Sequence, residues 1–301
     1  MRRPRKLPIT VLVAARDEAA NLPRCLGALG PAQRVVVVDS RSADGTALIA
    51  QRHGAEVAQF TYRGGYPRKR QWALEHARVR TPWTLLIDAD EIVPAPLWAE
   101  IAAAIEQEDG PAAYLVTKGF HFMGRRFRFG GFSHAAVILF RTGCARFERL
   151  LSDPGDGLDM EVHERLIVDG AVGALQTPLV HEDFKGLEAY LERHRRYAVW
   201  ESRLRQRFLE TGRWGEDAIT PRLAGNAQER RRFVKKWVIR LPLEPWLWFV
   251  YHYVLRLGML EGRPGFIASR IRAQYIGQVR ALLRDGRRSG ARPAPAERAP
   301  R

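Results

Sequence analysis

Over the first ninety residues, short apolar runs alternate with segments of helical period, the pattern of βα units that feed a largely parallel sheet. Residues 9–14 read as a buried first strand. Leu22, Leu26 and Leu29 then recur at i, i+4 and i+7 on one face of a helix that Gly30-Pro31 stops. Residues 35–38 read as a second strand, 43–53 as a second helix closed by Gly54, and 57–60 as a third strand. Pro67 stands where a third helix begins, and residues 68–77 carry strong helix formers up to the Thr81-Pro82 break. Residues 84–87 form the next strand, which ends in Asp88-Ala89-Asp90-Glu91. Leu97, Ile101 and Ile105 mark an amphipathic helix beyond it, with Glu91 expected as an acid at the helix start. Strands follow at 114–118 and 135–141 around a Gly- and Arg-rich loop, and 142–184 is turn-rich with a hairpin expected at Asp169-Gly170.

The character changes near Gly186. Residues 187–209 predict a long basic helix with a stripe of Leu187, Leu191, Leu204 and Phe208. A polar stretch, 211–232, leads into a Trp- and Tyr-rich segment, 237–260. After about 287 the chain is Arg/Pro/Ala/Gly and reads as disordered. The expected organisation is an α/β domain over 1–184, a helical basic region over 185–286 and a tail over 287–301.

Composition narrows the function classes. At 301 residues the chain can bury a sizeable core without staples, and two cysteines, Cys25 and Cys144, offer neither a disulfide framework nor a CxxC pair, which fits a reducing compartment. The basic-then-apolar start has the order of a signal peptide, but Pro8 breaks the run and Arg16, Asp17 and Glu18 end it, as for a first strand. The net charge of +16 sits mostly in the C-terminal third, where about 26 Lys/Arg face about 11 Asp/Glu from Lys185 onward. Such a balance points to a polyanionic partner, nucleic acid or an anionic lipid surface. The segment 241–262 is apolar and aromatic, yet Glu244, His252 and Arg256 keep it short of the ~20 uninterrupted apolar residues of a span. It suits an amphipathic element in the headgroup region, or alternatively a helical subdomain packing its aromatics on the core or across a dimer.

The strongest chemical feature is LLIDADE, with Asp88 and Asp90 at the carboxyl end of a buried strand, outside which the ligands of open α/β sheets bind. Such an i, i+2 pair can turn both carboxylates toward one hard divalent cation shared with diphosphate oxygens, and Mn²⁺ and Mg²⁺ both fit. Alone, an acid-x-acid pair is common on solvated turns. The preceding apolar strand and the two βα units before it favour a sheet-edge site.

The strings ITVLVAARDEAANLPRCLGAL, VVVVDSRSADGT, YPRKRQWALEHA, LLIDADE, DMEVHE and YHYVLRLGMLEGRPGF, in this order over about residues 7 to 280, resemble family 2 glycosyltransferases of the bacterial lipopolysaccharide-core and exopolysaccharide type. The resemblance implies a GT-A fold over 1–184, a mostly parallel Rossmann-like sheet flanked by helices. It also implies an inverting transfer of a sugar from a nucleotide-diphosphate donor to a lipid-linked glycan acceptor. The loop from Ala14 and Ala15 to Glu18 would hold base and ribose, with Asp39 facing the base, although Asp39, Ser40 and Asp44 could instead satisfy backbone donors of their own turn. Arg70, or Lys69 or Arg68, would meet the diphosphate by charge-assisted hydrogen bonds. The family's usual Asn there is Gln71, which puts an amide contact in doubt. Asp90 is assigned to the metal and Asp88 to the ribose or the metal shell, with His181 or His163 completing that shell or orienting the acceptor. Glu164 of DMEVHE is the candidate base, with Asp159 or Glu161 as substitutes. The implied location is peripheral, on the cytoplasmic face of the inner membrane.

Two rival readings remain at this level. One is a haloacid-dehalogenase-like phosphatase with Asp88 as nucleophile and Asp90 as acid/base, against which stand Ile92 where Thr or Val is expected and the late position of the pair. The other is a nucleic-acid-binding protein, for which no recognised motif accompanies the arginines.

Overall fold

The computed structural model describes residues 6–151, 158, 159, 161 and 164–289, and the structural statements below concern these residues. The N-terminal half is built of β1 (Leu7–Ala15), α1 (Leu22–Gly27), β2 (Ala32–Asp39), α2 (Thr46–Arg52), β3 (Glu56–Gln59), α3 (Lys69–His76), β4 (Trp83–Asp88), β5 (Glu91–Ile92) and α4 (Ala95–Ile105). There follow β6 (Ala113–Phe122), β7 (Arg125–Arg126), β8 (His134–Arg141), β9 (Ala145–Phe147), β10 (Leu166–Val168), β11 (Val172–Ala174) and β12 (Leu179–His181). The main sheet runs β3-β2-β1-β4-β8-β6-β12-β5, with β1 to β4 mutually parallel and β8 antiparallel to both β4 and β6.

β1 reads as a continuous apolar run because both of its faces are covered. Val11 and Val13 pack with Leu22, Leu97 and Ile101 of α1 and α4, whereas Leu12 packs with Val36, Val38 and Ala73 on the α3 side. Each fully buried Leu or Ile there contributes roughly 1.5–3 kcal/mol. The result is a mixed α/β core with helices on both faces of its sheet.

Several elements differ from the sequence expectation. Glu91 does not start a helix: it is wholly buried in β5, which pairs with β12, and α4 begins only after Pro94. The expected hairpin at Asp169-Gly170 does not form, because β10 pairs with β9 while β11 joins β6. The expected loop before β8 contains β7, which folds back on the end of β6.

The C-terminal third holds α5 (Gly186–Thr211), α6 (Ala227–Val238), α7 (Glu244–Val250), a π-turn Tyr251–Leu255, a 3-10 turn Gly258–Glu261 and α8 (Gly262–Ser289). Leu204 and Phe208 of α5 are buried, but Leu187 and Leu191 are exposed, so the apolar stripe packs only in its C-terminal half. α6 starts inside the stretch expected to be polar. Its Asn226 cap accepts from the Gln228 and Glu229 amides, while Glu229 reaches back to the Asn226 amide. α8 continues to Ser289, past the expected boundary at 287, and the tail beyond lies outside the described residues. No helix among the described residues is long and apolar enough to cross a membrane.

A clamp of buried charges joins these helices. The Arg205 guanidinium donates to Glu201 at 2.8 Å and to Glu244 at 2.8 Å, Arg280 donates to Glu244 at 3.1 Å, and Tyr275 donates to Glu201 at 2.7 Å. The segment 244–261 also docks on the loop before β8, where backbone approaches side chain closely: a Cβ at Gly131 (φ +66°) would lie 2.8 Å from Arg256 Nε.

Candidate active site

Sheet order reverses at β1, with β2 and β3 on one side and β4 on the other, so the carboxyl ends of β1 and β4 border a crevice of the kind that binds ligands in open α/β sheets. Register brings the sequence-predicted residues together there: Ala14 lies opposite Asp88, and Ala15 opposite Asp39. Both alanines are buried and contribute carbonyls. Ala15 O accepts from the Ser40 amide at 3.1 Å and from Lys69 Nζ at 2.9 Å. Asp39 is buried at the end of β2, where it accepts from Ser42 and, at 2.9 Å, from Gln59 Nε2. Asp44 accepts the Thr46 and Ala19 amides at 3.0 Å, so the local turn does use these acids to satisfy donors. Glu18 accepts from Asn21 at 2.7 Å and Lys185 at 2.6 Å, and burial with the nearby Asp90 holds its carboxyl above the ordinary value despite Lys185.

Past β4 the acids face different partners. Asp88 pairs with Arg70 through one oxygen and with Lys118 at 3.3 Å through the other. Burial would push its carboxyl up, but these two cations outweigh that and hold it far below the usual range. Asp90 lies 3.2 Å from His181 Nε2. Burial opposes the charge on that imidazole, yet Asp90 and Glu91 raise its pKa to about 9.

The Arg68 to Gln71 stretch is docked on Asp159, Glu161 and Glu164, which explains why α3 starts there. Lys69 N donates to Asp159 O at 2.8 Å. Glu161 accepts the Arg70 and Gln71 amides at 3.0 and 2.9 Å, capping α3 from far along the chain. Lys69 is buried and lies 3.2 Å from Asp159, and Arg68 is 4.0 Å from Glu164. Burial pushes the Glu161 carboxyl up; in Asp159, burial is outweighed by Lys69, which holds the group low. Gln71, which stands where the family's Asn is usual, is turned away into structure: its amide oxygen accepts from Phe147 N at 2.8 Å. His163 lies outside the described residues.

Lys118 was not singled out by sequence, and Glu91 was read there only as a helix-start acid. Lys118 on β6 bridges Asp88 and, at 2.5 Å, Glu91, which in turn accepts the Asp88 amide at 3.0 Å. Strand alternation could have placed Lys118 on one face of β6, but its crossing to Asp88 depends on β8 lying between the two strands.

A divalent ion at this crevice would have to use these same groups. Among the described residues no ready-made cluster of three metal-ligating side chains exists, because Asp88 is turned to Arg70 and Lys118. The carboxylate of Asp90 and the imidazole of His181 nonetheless converge: the carboxylate oxygen suits Mn²⁺ or Mg²⁺, and the imidazole nitrogen, once neutral, suits Mn²⁺ of the two.

Residues 10–160 match the model of glycosyl transferase family 2. The lipopolysaccharide core biosynthesis glycosyltransferase LpsC of Rhizobium meliloti is 28% identical over 177 residues, covering 57% of this chain and 62% of that protein. An uncharacterized glycosyltransferase of Mycobacterium bovis is 33% identical over 102 residues, 33% of this chain and 44% of that one. The chain thus spans less than two thirds of either relative. Among solved structures, the mannosyltransferase PcManGT of Pyrobaculum calidifontis, in complex with GDP-Man and Mn²⁺, is similar at TM-score 0.49 and 16% identity over 93% of this chain and 88% of that chain. With residues 10–160, half of its length, matched by the family model, the chain belongs to glycosyl transferase family 2.

Proposed function

We propose that the chain is an inverting glycosyltransferase that moves a sugar from a nucleotide-diphosphate donor to a hydroxyl of a lipid-linked glycan in cell-surface polysaccharide or lipopolysaccharide synthesis. It works peripherally, at the anionic cytoplasmic face of the inner membrane. The observation that carries the reading is the convergence of Asp88, Asp90, Arg70, Lys118 and His181 at the crevice between the carboxyl ends of β1 and β4. A phosphatase using Asp88 as nucleophile fits less well, because both oxygens of that carboxylate are engaged by cations. The name of the R. meliloti relative supports the lipopolysaccharide setting.

In this mechanism the 14–18 loop and Asp39 take the base and ribose, while Arg70, Lys118 and Lys69 supply positive charge for the diphosphate. Asp90, Asp88 and His181 would hold Mn²⁺ or Mg²⁺, which supplies Lewis-acid stabilisation of the departing diphosphate. Glu164 accepts the acceptor hydroxyl's proton as the anomeric carbon is attacked from the face opposite the diphosphate. Asp159 and Glu161 serve other ends, pairing with Lys69 and capping the α3 amides. Residues 1–184 form the catalytic unit and 185–289 the membrane-facing helical region.

Thermal shift against a panel of nucleotide sugars, with and without Mn²⁺, tests this. A donor at a hundred times its dissociation constant stabilises by about 2.7 kcal/mol, so one or a few donors should raise the melting temperature, and more so with Mn²⁺. Product analysis should then show transfer without release of free phosphate. No stabilisation by any nucleotide sugar, together with phosphate release from simple esters, would overturn the reading.

A further inference from the structure

Between Leu241 and Glu261 the chain is polar inside and apolar outside. Its two acids and its histidine face inward: Glu244 is fully buried in the Arg205 clamp, His252 donates from Nδ1 to Gly130 O at 2.6 Å, and Glu261 accepts the Arg128 and Phe129 amides at 2.6 and 2.8 Å. Apart from Arg256, the outward residues are apolar and strongly exposed, with Leu243 at 74%, Leu255 at 69%, Trp246 at 66% and Leu260 at 57%. A water-facing helix shows the reverse arrangement. The alternative that these aromatics pack on the catalytic core therefore does not hold for Trp246, although Phe249, Tyr253 and Phe266 do pack on one another.

Two of the exposed leucines also stand in backbone conformations that L-residues disfavour. Leu243 (φ +58°) precedes α7 and Leu257 (φ +57°) precedes the 3-10 turn, positions where Gly or Asn is the usual occupant. A bulky apolar side chain held there in water gains nothing from burial to offset the backbone cost.

The surroundings are cationic. Between Arg230 and Arg270 the only acids are Glu244 and Glu261, both buried, whereas Arg230, Arg240, Arg256, Arg263 and Arg270 are exposed. A second copy of the chain would bring the same positive charge to this face, and an acidic lipid surface brings the opposite one.

We infer that the 241–260 segment is an insertion wedge for an anionic bilayer: Leu243, Trp246, Leu255 and Leu257 enter the headgroup and acyl boundary, while the flanking arginines meet lipid phosphates. Glu244, His252 and Glu261 are the inner anchors that hold this face outward. The inference deepens the membrane reading above and stands apart from the chemistry at the strand ends.

Flotation of the full chain with vesicles tests it. The parent should float with phosphatidylglycerol-containing vesicles and not with phosphatidylcholine alone. The Leu243→Asn/Leu257→Asn double variant should lose at least tenfold in partitioning, while its melting temperature stays level or rises because Asn tolerates the left-handed backbone. Trp246→Ser, on the outer face of α7, should also weaken flotation. Equal flotation of all variants, no flotation of the parent, or loss of binding only through unfolding would overturn the inference. So would a fall from dimer to monomer mass in the variants, which would assign the face to a second copy. Thermal stabilisation by a nucleotide sugar with Mn²⁺, unchanged in the variants, reads the catalytic site separately: its absence in the parent would sink the catalytic reading and leave the flotation result to decide the wedge.

Discussion

Two networks of buried charge among the described residues look alike on paper and differ in one physical respect. At the strand ends, Asp88, Arg70, Asp90 and His181 remain partly open, with 21%, 14%, 11% and 30% of their side chains exposed. In the helical third, Arg205, Glu201 and Glu244 are at 3%, 3% and 0%, and Arg280, Lys235 and Tyr275 close around the two carboxylates. An open network can exchange a protein partner for a ligand's phosphate or a metal; a closed one can only hold elements together. The contrast teaches that burial and ion pairing alone do not mark a site. Access from a crevice at a topological switch is what separates the two.

The sharpest way to break this contrast is to remove one charge from each network. Arg205→Ala strips the clamp's central cation and leaves Glu201 and Glu244 with less compensation in the interior, so a loss of about 3–5 kcal/mol in unfolding free energy is expected. Chemical denaturation should show it, and any transfer activity should fall only as the folded fraction does. Asp90→Ala should do the opposite: the melting temperature moves by no more than about 3 °C, while transfer falls a hundredfold or more, about 3 kcal/mol of transition-state stabilisation. Excess EDTA should lower the parent's rate by a comparable factor and added Mn²⁺ should restore it. A thermally crippled Asp90→Ala protein, or full activity in EDTA, would place the strand-end network with the clamp.

The strand-end network was largely legible in sequence, and the clamp was not. Buried parallel strands are written as uninterrupted runs such as those of β1, β2 and β4, and the acids stand directly at their ends, so local pattern reaches the site. Glu91 was misplaced because an acid after a strand resembles a helix start, whereas Pro94 postpones α4 and leaves room for a two-residue strand. The Asn226 to Glu229 capping box carried a readable signal for the start of α6 that the surrounding polar residues obscured. Lys118 and Glu244 had no local signal, and nothing local pointed to Glu161 as the cap of α3. Each acts on a residue 30 or more positions away, through a geometry that only the assembled sheet and helices supply.

A finer cut separates roles within the open network and its neighbours. Glu164→Gln keeps the size and hydrogen-bonding capacity of the side chain but removes its basicity, so donor binding by thermal shift should persist while transfer drops about a hundredfold. Glu161→Gln should differ in kind. It weakens the cap on the Arg70 and Gln71 amides, so its first effect should be on stability and on the position of Arg70. Equal turnover by Glu164→Gln and parent would move the base elsewhere.

The smallest effect tests whether every charge in the clamp matters equally. Lys235 lies 3.0 Å from Glu201, yet burial outweighs that partner and pushes its pKa down to about 8. Glu201 keeps Arg205 and Tyr275 without it. Lys235→Met, which retains the apolar stem, should therefore lie within about 1 kcal/mol of the parent at neutral pH. The sign of the pH effect follows from linkage: between pH 8 and the ordinary lysine value of 10.5 the unfolded chain binds the proton that the folded chain has released, so the parent gains stability as pH rises through that window. Lys235→Met should lack this gain, and the difference between the two proteins' denaturation midpoints should shift in the parent's favour from pH 8 upward. A large loss at pH 7, comparable to that of Arg205→Ala, would show instead that Glu201 depends on the ammonium and that the clamp is one indivisible unit.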